Sequence, residues 1–313
     1  MKKTLFFLSF VALNTGLFAQ AFLRPHEWKK YKREIYFTTG SANFLGDLGG
    51  RNRKGTDYSP ADLNISQSRT AFGLGARYKF DKFFCVSAKL DYLLGKGNDN
   101  LTTDIYRNNR NLNFKSNIYE FSARIEGGIQ RIKRGGGHYG VQKNYARYKN
   151  IAHNLMGFVG FGVFYFDPYG LTPQGNWVRL KPLHTEGEGL PGGPKVYKNY
   201  SFCIPMGGYY KLILKKIYAI GVEVCYRKTF TDYIDDVGTS YYDPVVLGQY
   251  YGPLAVQMAD PNKGAIYGAT KPDASGNPAQ RGDKQKDTYV SIEVTFGYIF
   301  KQQRKSARLR SKF

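Results

Sequence analysis

The stretch Ile217–Arg227, IYAIGVEVCYR, decides the fold. Tyr218, Ile220, Val222, Val224 and Tyr226 fall on one face of an extended chain; Ala219, Gly221, Glu223, Cys225 and Arg227 fall on the other. Strict period-two alternation is the signature of a β-strand with two unlike environments. Three more segments repeat it, over Asp287–Phe300, Thr70–Phe80 and Phe84–Leu94. Four weaker ones complete the set: Glu34–Ala42, Phe114–Glu126, Leu155–Phe166 and Tyr200–Leu214. Leu155–Phe166 is apolar or Gly almost throughout, so its facing is ambiguous. Tyr200–Leu214 contains Pro205, which lacks a ladder donor and predicts a bulge or local break. The total is eight strands, an even number, as a closed single-chain barrel requires.

The two faces say which side is inside. One face is aliphatic and aromatic. The other carries Arg77, Lys79, Lys89, Asp91, Glu120, Arg124, Glu223, Arg227 and Glu293. A soluble sandwich would bury such charges in a dry core at prohibitive cost. In a narrow barrel they pair across the lumen and plug it. The lipid face then needs apolar residues only at alternate positions, which reconciles 26 Tyr and 22 Phe with a mean hydropathy of −0.46. The expected fold is therefore all-β: an eight-stranded antiparallel transmembrane β-barrel. Cys85, Cys203 and Cys225 sit in strand-like segments and read as small lumen-facing residues, too few and too odd in number for a disulfide scaffold.

The connections agree. Asp81–Phe83 and Lys215–Lys216 are tight turns, whereas 43–69, 95–113, 167–199 and 228–286 are long. Short turns on one rim and long loops on the other are the asymmetry of outer-membrane barrels, with the long loops outside and both termini in the periplasm. The segment 127–154 departs from this rule, being long and basic where a short turn is expected. Ahead of the barrel, Lys2 and Lys3, the apolar run Leu5–Leu13 and the Leu17-Phe18-Ala19 site mark residues 1–19 as a cleaved signal peptide. No Cys follows the cut, which argues against a lipoprotein. The remaining divisions are a basic periplasmic segment at 20–33, the outer-membrane barrel at 34–300 and a basic periplasmic tail at 301–313.

The formal net charge of +22 raises nucleic acid as a partner. An exported barrel argues against it. The cations also gather on the rim assigned to the periplasm: Arg131, Lys133 and Arg134 in the long connection, and Lys301, Arg304, Lys305, Arg308, Arg310 and Lys312 in the tail. Two readings stand. These are solvated connections, or they dock an acidic periplasmic partner through complementary charge.

No nucleophile elbow, metal-ligand spacing or phosphate loop is present, and the four His are scattered. No enzyme activity and no cofactor are expected. Four local signatures stand out instead. They are Gly46-Asp47-Leu48-Gly49-Gly50, Leu180 to Gly189 (LKPLHTEGEG, with Pro182, Thr185 and Glu186), Ile204 to Gly208 (IPMGG), and Thr231-Asp232-Tyr233-Ile234-Asp235-Asp236-Val237. In order and placement they resemble the PorG family of type IX secretion, over about Glu34 to Phe300. His184 stands where that pattern has Gly. The resemblance implies an OmpA-like small barrel of the outer membrane, in contact with its lipids, that belongs to a protein secretion machinery also tied to gliding motility. It implies periplasmic ring proteins resembling PorK and PorN (GldK and GldN) as partners, and no catalysis. A small generic outer-membrane barrel with a structural or pore role is the alternative. Glu186, Glu188, Asp232, Asp235 and Asp236 belong near the outer rim; they lack EF-hand spacing, and loop-capping hydrogen bonds are expected of them in preference to Ca²⁺.

Overall fold

The computed structural model describes residues 27–48, 67–102, 104–132, 151–283 and 285–302. Eight long strands form the wall: β1 (Arg33–Leu45), β2 (Arg69–Lys79), β3 (Phe84–Asn98), β4 (Asn113–Ile132), β5 (Ile151–Leu171), β7 (Tyr200–Leu214), β8 (Tyr218–Thr229) and β9 (Thr288–Phe300). A three-residue strand, β6 (Trp177–Arg179), adds to the end of β5. Every wall strand pairs antiparallel with its neighbours in the order β4-β3-β2-β1-β9-β8-β7-β5, and the β4–β5 pairing closes the ring. Closure leaves no open sheet edge, the condition for strands to cross a membrane. No described helix is long and apolar enough to cross one.

The expected eight strands are present, with three differences. First, β4 and β5 run into the supposed 127–154 connection, pairing as far as Ile132↔Ala152. Hydrophobic alternation fades there into Gly and basic residues, so pattern alone ends both strands early. Second, Pro205 breaks the β5–β7 ladder between Val159↔Met206 and Gly162↔Cys203, but the register on either side is unchanged, so there is a local break and no bulge. Third, β6 is too short to leave a periodic signal. The two tight turns are as read. The Asp81 amide donates to the Phe84 carbonyl across one. Across the other, three residues separate the paired Leu214 and Tyr218; the Ile217 amide donates to the Leu214 carbonyl, and Lys215 and Lys216 have φ of 50° and 66°, the left-handed region that ordinarily selects Asn or Gly.

The outer face is apolar. Leu90, Ile125 and Leu155 are about 60% exposed, and Phe37, Leu74, Phe121, Val222 and Phe296 share that face. A continuous belt of such residues has no place in water and marks a lipid-facing wall. The ambiguous β5 resolves: Leu155, Val159, Phe161, Val163 and Tyr165 face out, while Met156, Phe158, Phe164 and Phe166 are buried.

The interior has three storeys. Toward the terminus-side mouth, where β1 begins and β9 ends, Glu34, Arg77, Glu126 and Lys211 form a charged cluster. A second charged cluster fills the middle. Toward the long-loop mouth the filling is apolar, with Phe44, Leu93, Phe114, Ile118, Phe164, Phe166 and Tyr289 among its members. That apolar storey was not foreseen. Its members lie in the same phase as the lumen charges, and a phase rule identifies the face but not its chemistry.

Candidate functional site

The middle storey centres on Lys89. Its ammonium lies 2.9 Å from Asp91, 3.2 Å from Glu223 and 2.8 Å from Glu293. Arg124 contacts Glu223 at 2.7 Å and Asp91 at 3.3 Å. Arg227 contacts Glu120 at 2.7 Å, Asp91 at 3.3 Å and, more loosely, Glu293 at 3.9 Å. All seven side chains are fully buried. They come from β3, β4, β8 and β9, so the network ties opposite walls together. Gly73 on β2 makes room for it. A Cβ there would sit 2.3 Å from the Asp91 carboxylate and 2.5 Å from the Lys89 stem.

The lower storey repeats the design. Arg77 reaches Glu34 at 3.0 Å and Glu126 at 2.5 Å, and Lys211 reaches Glu34 at 2.5 Å. The Arg77 guanidinium lies between the rings of Tyr36 and Tyr209, 4.3 and 4.5 Å from their centroids. Of the lumen residues anticipated, Arg77, Asp91, Glu120, Arg124, Glu223, Arg227 and Glu293 are buried here, while Lys79 is half-buried at the mouth. Glu34, Glu126 and Lys211 were missed as members. Each is on the polar phase of its strand, at the end where the alternation is weakest. Cys85, Cys203 and Cys225 are buried free thiols, as read.

The long-loop mouth is closed by a cap, and there the dispersed motifs meet. Four loops contribute. Their described parts lie at 46–48, within 99–112 with helix α1 (Ile105–Arg110), at 172–199, and within 230–287 with helices α2 (Pro244–Tyr251) and α3 (Pro253–Ala259). Two of these short helices, α1 and α2, are held at their starts by side-chain caps. Asp104 accepts from the Tyr106 and Arg107 amides, and Asp243 from the Val245 amide.

Two arginines bolt the loops together. Arg281 donates to the Glu186 carboxylate at 3.1 Å and to the carbonyls of Asp236 and Ala259 at 2.7 and 3.1 Å. Arg110 donates to Asp99 at 2.8 Å and to the carbonyls of Asp47 and Arg281 at 2.8 and 2.6 Å. The motif carboxylates fill in around them. Glu186 also accepts from the Gly238 and Thr239 amides, and Asp235 from those of Leu48 and Val237. Asp47 accepts from the Asp283 amide. Asp236 accepts from Thr185 at 2.7 Å and from the Tyr197 hydroxyl at 2.5 Å, and the Tyr197 ring stacks on Tyr233 at 4.7 Å. Thr231 accepts from the Tyr233 amide, and Asp232 faces Lys286 at 3.8 Å.

Gly46 packs against Phe44 and Asp287 with no room for a Cβ. Pro182 opens an exposed 3-10 turn. His184, where the pattern has Gly, has φ of 47°, the left-handed region that favours glycine; its ring stacks on Tyr251 at 4.4 Å. Gly49 lies outside the described residues. Glu186, Glu188, Asp235 and Asp236 make the expected loop-capping hydrogen bonds, whereas Asp232 has only its loose ion pair with Lys286. Among the described residues no three His, Cys, Asp or Glu side chains are placed to hold a metal ion. Sequence reasoning missed Arg281, Arg110, Tyr197 and Asp287, which lie in long loops with no periodicity to single them out.

Several cap carboxyls are harder to ionise than usual. Burial, with Asp236 and Glu186 nearby, pushes Glu188 up to about 8. Burial raises Asp232 to about 7 against the pull of Lys286, and Asp236 to about 6 against that of Arg281. Asp235 and Asp287 are raised well above the usual range by burial and by their neighbouring carboxylates. A group raised in the folded cap holds its proton there while the opened loop has lost it. Stability from these groups is thus fully present below their unfolded value, about 4, and is lost as pH rises through the folded values, about 6 to 8. Limited proteolysis of the intact protein in micelles should cut 230–287 faster at pH 8.5 than at pH 5.5, after normalising the protease to a peptide substrate. A rate flat across that range would contradict this charge arrangement.

Of the partner-docking candidates, Arg131 lies near the end of β4 and Lys301 is exposed just beyond β9, both at the terminus-side mouth. Lys133, Arg134, Arg304, Lys305, Arg308, Arg310 and Lys312 lie outside the described residues.

By its own geometry the chain is an eight-stranded antiparallel membrane β-barrel with a charged interior. No protein-family model matches it, and no curated protein does. Among solved structures it is similar to Ail, the attachment invasion locus protein of Yersinia pestis, in complex with the heparin analogue sucrose octasulfate. That likeness has 9% identity and a TM-score of 0.34, covering 86% of this chain and 98% of that one. It is also similar to Neisserial surface protein A, at 7% identity and a TM-score of 0.32, covering 86% of this chain and 97% of that one.

Proposed function

We propose that this chain is an integral outer-membrane component of a type IX protein secretion machinery, exported by a cleaved signal peptide. In this reading it anchors or stabilises a periplasmic ring of proteins resembling PorK and PorN (GldK and GldN) and catalyses no reaction. The observation that carries the reading is the convergence of the Gly46–Asp47, Thr185–Glu186 and Thr231–Asp236 signatures, far apart in sequence, on one buried cap. Residues that hold one another in place in three dimensions form a coherent fingerprint, which strengthens the resemblance they carry. The pore alternative is disfavoured by the described lumen, which is filled by buried ion pairs and, toward the long-loop mouth, by apolar side chains.

The terminus-side mouth would face the periplasm and offer Arg131, Lys133, Arg134 and the tail from Lys301 to Lys312 to an acidic partner. Exposed pairs contribute about 0.2–1 kcal/mol each, so single substitutions should do little. Reversing the whole set to Glu should detach the ring and block secretion while the barrel keeps its heat-modifiable migration. Pull-down of the full-length protein from outer membranes, followed by mass spectrometry, reads this directly. Recovery of ring proteins at unchanged yield with the reversed set, across a salt series, would leave these cations as solvated connections.

A further inference from the structure

The lipid-facing wall has one pronounced dent. Ala76 on β2, Ala88 on β3 and Ala123 on β4 are direct register partners, Ala76↔Ala88 and Ala88↔Ala123, and all three are exposed. Larger residues frame them on every side. The register neighbours at the ends of the row are Ile35 on β1 and Phe161 on β5. One step toward the long-loop mouth lie Leu74, Leu90 and Phe121, and one step toward the termini lie Tyr78, Val86 and Ile125. The dent opens into a groove of about 1010 Å³ that runs to the terminus-side rim and ends on Lys32, Arg33 and Lys301.

A row of small residues alone specifies nothing, but the lower end of this groove is charged and held in place. Arg33 is exposed and pairs in register with Tyr78, the residue that floors the exit of the dent. The Lys32 ammonium lies over two rings, 5.3 Å from the centroid of Trp28 and 5.7 Å from that of Tyr78. Among the described residues neither Lys32 nor Arg33 has a carboxylate partner. Glu34 points into the lumen and is engaged by Arg77 and Lys211, and Asp81 is turned to the Phe83 amide. Two unneutralised cations at an aromatic rim, at the foot of an apolar groove, match a molecule with an anionic head and a hydrocarbon tail.

We propose that this groove seats one anionic phospholipid of the membrane leaflet on the terminus side, with an acyl chain across Ala76, Ala88 and Ala123 and the phosphate between Lys32 and Arg33. The inference rests on the membrane reading of the barrel; its phosphate ligands, Lys32 and Arg33, are not among the residues assigned to ring docking, although Lys301 of that set lines the foot of the groove.

Native mass spectrometry of the intact protein in detergent tests it, with phosphatidylglycerol and phosphatidylcholine of identical acyl chains supplied in equal amounts. Wild type should retain phosphatidylglycerol in preference. Lys32→Glu with Arg33→Glu should abolish the preference, at about fivefold for each cation lost. Ala88→Phe, which fills the dent from the lipid side and leaves the lumen untouched, should lower adducts of both lipids. Free glycerol phosphate should not compete; displacement by it would assign the cations to a soluble anion and overturn the lipid seat. Equal adducts of the two lipids on wild type, a preference that survives the double reversal, or unchanged adducts in Ala88→Phe would each overturn it too. Heat-modifiable migration of every variant reports the barrel separately, so failure of the lipid site is distinguishable from failure of the membrane reading.

Discussion

Lys89→Met is expected to cost the barrel about 3–5 kcal/mol, the penalty for breaking a buried ion pair from one side. Met keeps the unbranched stem and its packing beside Gly73, so the change isolates the charge. In its absence Asp91, Glu223 and Glu293, now gathered within about 3 Å of one ammonium, would face one another across a dry lumen. The middle storey holds three cations, Lys89, Arg124 and Arg227, against four carboxylates, Asp91, Glu120, Glu223 and Glu293. Removing a cation therefore worsens an excess of negative charge, whereas neutralising a carboxylate relieves it. Glu293→Gln alone should be mild, and Lys89→Met/Glu293→Gln should recover part of the loss. Urea unfolding in micelles, followed by the heat-modifiable band, gives all four corners of that cycle. Lys89→Met with wild-type stability, or a double variant no better than the single, would show that the network does not hold the walls together.

The sequence made the wall legible because a membrane barrel imposes one rule at every residue. Lipid outside and polar groups inside turn each strand into a period-two record, and Ile220 to Arg227 writes it without an error. The rule fails where the environment changes along a strand. At the loop end of β1, Ala42, Asn43, Phe44 and Leu45 are all buried, because both faces are covered there. At the ends of β4 and β5 the contrast is lost differently, as the alternation fades into Gly and basic residues. The motif carboxylates were placed correctly at one rim, since they follow strands that end there. Their partners were not legible. Arg281 meets Glu186 across 95 residues and Arg110 meets Asp47 across 63, and no local pattern encodes such pairings.

The lumen and the cap divide the labour of holding this molecule. Strand pairing and the Lys89 network fix the wall, while the cap depends on few long-range bonds to loops that have little regular structure. Arg281→Met should separate the two. The barrel should migrate as wild type before and after heating, because among the described residues no wall residue bonds to Arg281. The cap should open, because one guanidinium spans the loop at 172–199 and two points of the loop at 230–287, and its own carbonyl anchors Arg110. A loss of about 3 kcal/mol for a buried pair corresponds to roughly a hundredfold rise in the open population, which cleavage of 230–287 would follow. Arg281→Lys should rescue only in part, since an ammonium can meet Glu186 but cannot reproduce the fork that also reaches the Asp236 and Ala259 carbonyls. The pH response supplies an independent check. Arg281 opposes the effect of burial on Asp236, which stands at about 6. Without that cation Asp236 should hold its proton to higher pH, so Arg281→Met should shift the opening of whatever cap remains toward alkaline pH. Cleavage at the wild-type rate in Arg281→Met, with the pH response unmoved, would mean that the loops are held by something other than this bolt.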